Sequence, residues 1–252
     1  METDSDLESK ALEILKEYNL NPFATKHNYC KFAWACRNGY LVVVQWLHKE
    51  FDTTLFDAFV WDSNILVDIC FNGHLNILKW LYETSQVNAR QIRSRRNYGF
   101  RMACKNGHVE LAKYLAATFE LTKEDICSYD DEALEWAIEG GYTEIIEWLH
   151  DTYYERFDFR RAFQILRDNC ILGHLSAIQW VYQRYYVLFS VKDIQICDNW
   201  ILRSVCKNGH LNILLWLHET FRLPKNDLCG LLEIARENNR TEIVKWILEI
   251  KE

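Results

Sequence analysis

Apolar and polar positions along this chain repeat with a period near 34 residues. The pattern is plainest in Cys206-Lys-Asn-Gly-His-Leu-Asn-Ile-Leu-Leu-Trp-Leu-His-Glu219 and the residues before it. Leu202, Val205 and Cys206 are three and four apart, the single buried stripe of a short helix. Asn208-Gly209 interrupts it. Glycine takes the left-handed conformation that a helix C-terminus often needs, and asparagine tolerates it next best. Beyond the break, Leu211, Leu214, Leu215 and Leu217, with Trp216, predict a second helix. One repeat therefore reads helix, turn, helix, connection.

The same segment recurs as CRNGY at 36–40, CFNGH at 70–74, CKNGH at 104–108, IEGGY at 138–142, CILGH at 170–174 and CKNGH at 206–210, and as RENNR at 236–240. The anchors Gly39, Gly73, Gly107, Gly141, Gly173, Gly209 and Asn239 are spaced by 34, 34, 34, 32, 36 and 30 residues. Seven positions after each anchor stands an aromatic: Trp46, Trp80, Tyr114, Trp148, Trp180, Trp216 and Trp246. Seven positions before stands Phe32, Leu66, Phe100, Leu134, Leu166, Leu202 or Leu232. One helix pair cannot bury such a stripe alone, whereas stacked pairs can. An all-α solenoid of about seven repeats is expected over residues 28–252, as one continuous domain.

Residues 1–27 are expected to form a capping helix. Ser5-Asp-Leu-Glu8 is a capping-box pattern, Leu7, Ala11, Ile14, Leu15 and Tyr18 make one apolar face, and Asn21-Pro22 is the expected stop. Arg236 to Arg240 give the last repeat the polar character of a terminal cap.

These anchors and this period resemble the ankyrin repeats, most closely the divergent form found in giant amoebal viruses, with its pattern CKNGHLEVVKWLHE. The resemblance covers about residues 28–250. It implies a non-catalytic protein–protein interaction scaffold that binds its partner through a concave face of first helices and connections. The chain departs from the family in two places. The Thr-Pro-Leu-His start of the first helix is largely missing; Tyr98, Gly99, Phe100 and Arg101 stand there in the third repeat. The glycine that usually follows the second helix is absent too. Some connections are therefore expected to be helical or irregular instead of β-turn fingers. Carried over by position, the family's contact residues two before the anchor are Arg37, Phe71, Lys105, Glu139, Ile171 and Lys207. Those in the connections are Trp61, Arg95, Arg96, Asn97 and Tyr129.

Charge and chemistry narrow the function. A net charge of −7 argues against the whole chain being a nucleic-acid binder. The start METDSDLESK has no apolar core of a signal peptide, and no apolar run approaches the roughly 18 residues that span a bilayer. Nine cysteines without an export signal point to a reducing, intracellular, cytoplasmic setting, of the host cell for a viral protein. Cys36, Cys70, Cys104, Cys170 and Cys206 share one repeat position, and a small packed residue explains them better than metal ligation. His74, His108, His174 and His210 follow the anchor, where they can bond between neighbouring turns. His48, His150 and His218 lie nine after it, near a helix C-terminus; His27 stands outside the pattern. No nucleophile elbow, phosphate-binding glycine loop or zinc-type cysteine spacing appears, so no enzyme, cofactor or metal is expected.

Two local features stand out. From Val87 to Lys105 there is no acid, but Arg90, Arg93, Arg95, Arg96, Arg101 and Lys105 are present. They read either as a solvated loop paired with acids such as Glu124, Asp125, Asp130 and Asp131, or as a docking point for an acidic protein segment or nucleic acid. Tyr153, Tyr154 and Phe157, and Tyr185, Tyr186 and Phe189, are either interface anchors or core fillers. An unknown intracellular protein of host or virus is the expected partner, with nucleic acid and membrane disfavoured and a monomer expected. A ubiquitin-ligase adaptor is the remaining alternative. Viral ankyrin adaptors carry an F-box-like segment beyond the repeats, and this chain is expected to end within its last helix.

Overall fold

Every anchor turns the chain where the pattern places it. Gly39, Gly73, Gly107, Gly141, Gly173 and Gly209 have φ between 68° and 96°, and Asn239 takes the same region at φ 57°. The computed structural model describes residues 4–23, 28–56, 64–154 and 157–251, and all regular elements among them are helical. The chain forms two compact units, Met1–Trp136 and Ala137–Glu252, divided within one helix.

The N-terminal unit begins with α1 (Asp4–Glu17). Repeat 1 is α2 (Asn28–Asn38) and α3 (Leu41–Phe51); repeat 2 is α4 (Ile65–Phe71) and α5 (Leu75–Glu83). Repeat 3 adds a one-turn helix, α6 (Ala89–Ile92), before α7 (Ser94–Lys105) and α8 (Val109–Thr118). Another one-turn helix, α9 (Lys123–Ile126), leads into α10 (Ser128–Glu139), which carries the division.

The C-terminal unit continues with α11 (Thr143–Tyr153), then α12 (Phe159–Leu172) and α13 (Leu175–Tyr185). A 3₁₀ turn at Tyr186–Leu188 and α14 (Val191–Ile194) precede α15 (Ile196–Asn208) and α16 (Leu211–Phe221). Repeat 7 is α17 (Lys225–Gly230), α18 (Leu232–Glu237) and α19 (Thr241–Lys251).

The core follows the stripe. Phe32, Leu66, Phe100, Leu134, Leu166, Leu202 and Leu232 are all buried. So are Cys36, Cys70, Cys104, Cys170 and Cys206, each packed as a small apolar side chain. In four places the residue nine after one anchor meets the aromatic seven after the next. His48 packs edge-on against Trp80 at 5.3 Å, His150 against Trp180 at 5.4 Å, Tyr182 against Trp216 at 5.3 Å and His218 against Trp246 at 5.8 Å.

Among the described residues, three connections carry one-turn helices started by capping boxes. Asn88 with Gln91, Thr122 with Asp125 and Ser190 with Asp193 bond each other's backbone reciprocally and start α6, α9 and α14. Ten residues before their anchors, Asn97 (φ 61°), Asp131 (φ 63°) and Asn199 (φ 57°) then kink the chain into the main first helix. Asparagine and aspartate carry this left-handed backbone with the least penalty after glycine.

The N-terminal helix differs from expectation at both ends. It starts at Asp4, so Ser5 lies inside its first turn. It stops at Glu17, before Pro22, because Asn19 turns left-handed at φ 54° and Leu20 N–H bonds the Leu15 carbonyl. Ala11 and Leu15 are buried as the pattern requires, but Tyr18 is half-exposed and packs against Trp34 and Tyr40.

Candidate partner-binding face

Histidines after the anchors position the first helices. His74 donates from Nε2 to the Arg37 carbonyl at 2.9 Å, His108 to the Phe71 carbonyl at 2.8 Å and His210 to the Ile171 carbonyl at 3.0 Å. Arg240 takes the same place in the last repeat, donating from Nε to the Lys207 carbonyl at 2.9 Å. Each ring also lies over the preceding anchor glycine. A Cβ on Gly73 would stand 2.5 Å from Nδ1 of His108, so the site needs glycine for space as well as for its φ of 76°. In repeat 5, His174 bonds Asn169 Oδ1 at 3.1 Å. Burial pulls its imidazole below the usual value against the opposing pull of the Ile138 backbone.

The residues whose carbonyls are held this way project from the first helices. In the N-terminal unit these are Arg37 and Phe71, with Lys105 at the same position in the third repeat. Arg37 pairs with Asp68 at 2.8 Å and keeps 43% of its side chain exposed. Phe71 is 45% exposed, although its own helix is otherwise buried along one face. The Lys105 ammonium lies 4.5 Å from the centre of the Trp136 ring. Glu139 and Lys207 are exposed, and Ile171 is half-buried.

The arginine-rich stretch divides into an inner and an outer set. Arg101 is 4% exposed, pairs with Glu132, donates to the Arg95 carbonyl and lies between the rings of Tyr98 and Trp136. Asn97 is also buried and donates to the carbonyl and carboxylate of Asp125. Arg93 ties the loop down through the carbonyls of Phe119 and Glu120 and meets Asp125 at 3.5 Å. Burial pushes the Asp125 carboxyl up, but the Thr122 N–H, Asn97 and the Arg93 charge outweigh it and hold it below the usual carboxylate range. Arg90, Arg95 and Arg96 are exposed; Arg95 bonds Asn64 at 2.7 Å. The backbone of Arg95, Arg96 and Asn97 is left-handed throughout, with φ of 51°, 53° and 61°.

Trp61 and His27 lie outside the described residues, as does the side chain of Tyr129. Of the connection aromatics, Phe157 and Tyr185 are buried, and the Tyr185 hydroxyl accepts from the Phe157 N–H and bonds Nε2 of the buried His150. Phe189 stacks on Tyr182, whereas Tyr186 remains 59% exposed. Sequence reasoning missed Trp200, which is 47% exposed on α15. It stands nine before its anchor, as Tyr98 does in repeat 3, and that shared position was the available signal.

Among the described residues, no cluster of three His, Cys, Asp or Glu side chains could hold a metal, and no helix is long and apolar enough to cross a membrane. No curated protein matches the chain. Residues 66–158 match the family model for ankyrin repeats in three copies, repeats that generally mediate protein–protein interaction, and the described residues on either side fold as helix–turn–helix pairs of the same kind.

Proposed function

We propose that this protein is a non-catalytic scaffold that binds a partner protein through the exposed side of its first helices. The row Arg37, Phe71 and Lys105 carries this reading. A half-exposed aromatic sits at the repeat position that its two neighbours fill with cations. The backbones beneath Arg37 and Phe71 are already fixed by His74 and His108, so binding costs little ordering of the main chain. Aromatic and arginine side chains are the usual anchors of such surfaces. Glu139 and Lys207 extend the same position along the chain. The partner is an intracellular protein of the host, or of the virus, a reading supported by the free buried thiols and by the resemblance to the repeats of giant amoebal viruses.

Affinity capture from cell extract tests this. The triple variant Arg37→Glu, Phe71→Ala, Lys105→Glu is expected to lose partners that the wild type retains. Identical partners at equal recovery would remove the row from the binding face.

One observation favours a second, anionic ligand. Arg90, Arg95 and Arg96 are exposed within seven residues of a chain that is acidic overall. Nucleic-acid binding through them would weaken steeply as salt rises. An absence of binding at low salt rejects it.

A further inference from the structure

Asparagine stands one residue before the anchor in three consecutive repeats, as Asn38, Asn72 and Asn106. Each side chain is turned the same way. Asn38 Nδ2 donates to the Trp34 carbonyl at 2.8 Å, and Asn106 Nδ2 to the Met102 carbonyl at 2.9 Å. Asn72 Nδ2 serves both the Asp68 carbonyl at 3.0 Å and the Arg37 carbonyl at 3.1 Å. A carbonyl bonds only a donor, so the orientation of all three amides is fixed. Closing the helix end uses the nitrogens and leaves the oxygens. Among the described residues, Oδ1 of Asn38, Asn72 and Asn106 has no hydrogen-bond partner. The next two repeats carry Gly140 and Leu172 at this position and offer no amide.

The N-terminal unit therefore offers one fixed acceptor per repeat, beside the row Arg37, Phe71 and Lys105 one position earlier. α4 packs against both α2 and α7, so both rows step from helix to helix. Helices packed side by side lie about 8–10 Å apart. An occupant that meets every step must repeat at that distance. An α-helix returns to one face every ~5.4 Å and spends its N–H groups internally. A β-strand returns every ~7 Å. A polyproline-II chain returns every third residue, about 9 Å, and has no internal hydrogen bonds, so its N–H groups are free to donate. Charge then selects the side chains. Arg37 already shares its charge with Asp68 at 2.8 Å. Lys105 lies over the Trp136 ring and, among the described residues, meets no carboxylate. Phe71 stands exposed on the helix between them.

We propose that the N-terminal unit binds a polyproline-II segment of a partner protein, laid across α2, α4 and α7. Every third N–H of the segment donates to the next asparagine Oδ1. An apolar side chain of the segment rests on Phe71, and an acidic side chain three residues away meets Lys105. The amides are already held by the helix ends, so accepting these hydrogen bonds costs little side-chain ordering. This inference rests on the reading of Arg37, Phe71 and Lys105 as the binding face and names the conformation and chemistry of its ligand.

The test uses the full chain and a phage-displayed library of linear peptides about twelve residues long, enough to cross three helices. Selected peptides are expected to be rich in proline and to share an acidic residue three positions from an apolar one. In a proline scan of the tightest binder, affinity should fall at least about tenfold at every third residue, where the ring removes a donated N–H, and hold level between. Phe71→Ala and Lys105→Glu should each weaken binding by a similar factor. Both side chains are exposed, so both variants should fold. Asn38 and Asn106 bond only their own helices, so the double variant Asn38→Ala, Asn106→Ala keeps the inter-repeat joints and should weaken binding at least about tenfold. No enrichment, enrichment of basic peptides, or a proline scan without the three-residue period would each overturn the proposal. Capture with the Arg37, Phe71, Lys105 variant separates the two readings. If that variant loses its partners but the scan shows no period, the row stands and the polyproline-II segment fails. If it keeps every partner while the selected peptides retain the period and depend on Asn38 and Asn106, the asparagine ladder stands and the row fails.

Discussion

Single residues in this chain acquire their meaning from the repeat. Cys206 and its four equivalents are buried beside helices, and burial pushes the Cys206 thiol to about 11 and the Cys70 thiol to about 12. Burial pushes those of Cys36, Cys104 and Cys170 up as well. The thiolate is the reactive form, so these five should resist a thiol reagent at about pH 8 until the chain is unfolded, whereas exposed Cys30 should react in the native state. Mass mapping of labelled peptides before and after denaturation checks this. Asp125 makes the complementary case for an acid. Its folded pKa lies below the unfolded one, so its contribution is complete above about pH 4 and disappears as pH falls through the folded value. Asp125→Asn is expected to lower stability at neutral pH and to flatten the loss of stability on acidification, as read by denaturant melts at stepped pH.

At the scale of elements, the sequence showed the helix pairs but hid the joints between them. The apolar stripe and the Asn-Gly breaks announce α2 to α5 and their later copies, and Asn239 was legible as a glycine substitute because its neighbours keep phase. The one-turn helices α6, α9 and α14 were not legible. Each is too short to show a period, and its evidence is a polar pair, such as Thr122 and Asp125, that reads as ordinary loop composition. The burial of Arg101 was hidden for another reason. It depends on Glu132 and Trp136, 31 and 35 residues further on, and on a left-handed turn at Arg95 to Asn97 that no local pattern demands. Removing a cap tests these joints. Thr122→Ala should cost about 1 kcal/mol, with Asn88→Ala and Ser190→Ala similar, as measured by urea denaturation. Asn239→Ala should cost about 1–2 kcal/mol, since alanine has no side chain to ease the left-handed turn.

For the whole molecule, the inter-repeat hydrogen bonds from His74, His108, His210 and Arg240 span only 33 to 39 residues of chain. Stability in such an arrangement is close to a sum of neighbour terms. Ile247, fully buried in the last helix, offers a direct test. Ile247→Ala should cost about 2–5 kcal/mol locally. It should also start unfolding earlier and with a shallower slope in urea, because the end repeat melts before the rest. A single transition of unchanged slope would show that all repeats melt together. The binding face was legible at this scale only as a set of positions. Which of them are open, as at Phe71 and Trp200, and which are sealed, as at Arg101, depends on the side chain that the next copy happens to present.

The joint of ring over glycine has a consequence for inheritance. Where the joint is complete, as at His74, His108 and His210, one repeat offers a glycine and a carbonyl and another a histidine that meets both. A recombination that duplicates one such repeat therefore joins matching halves. Chain length can change in a single event without a new core having to be invented. The exposed positions on the first helices, such as Phe71 and Lys105, are then left to drift copy by copy.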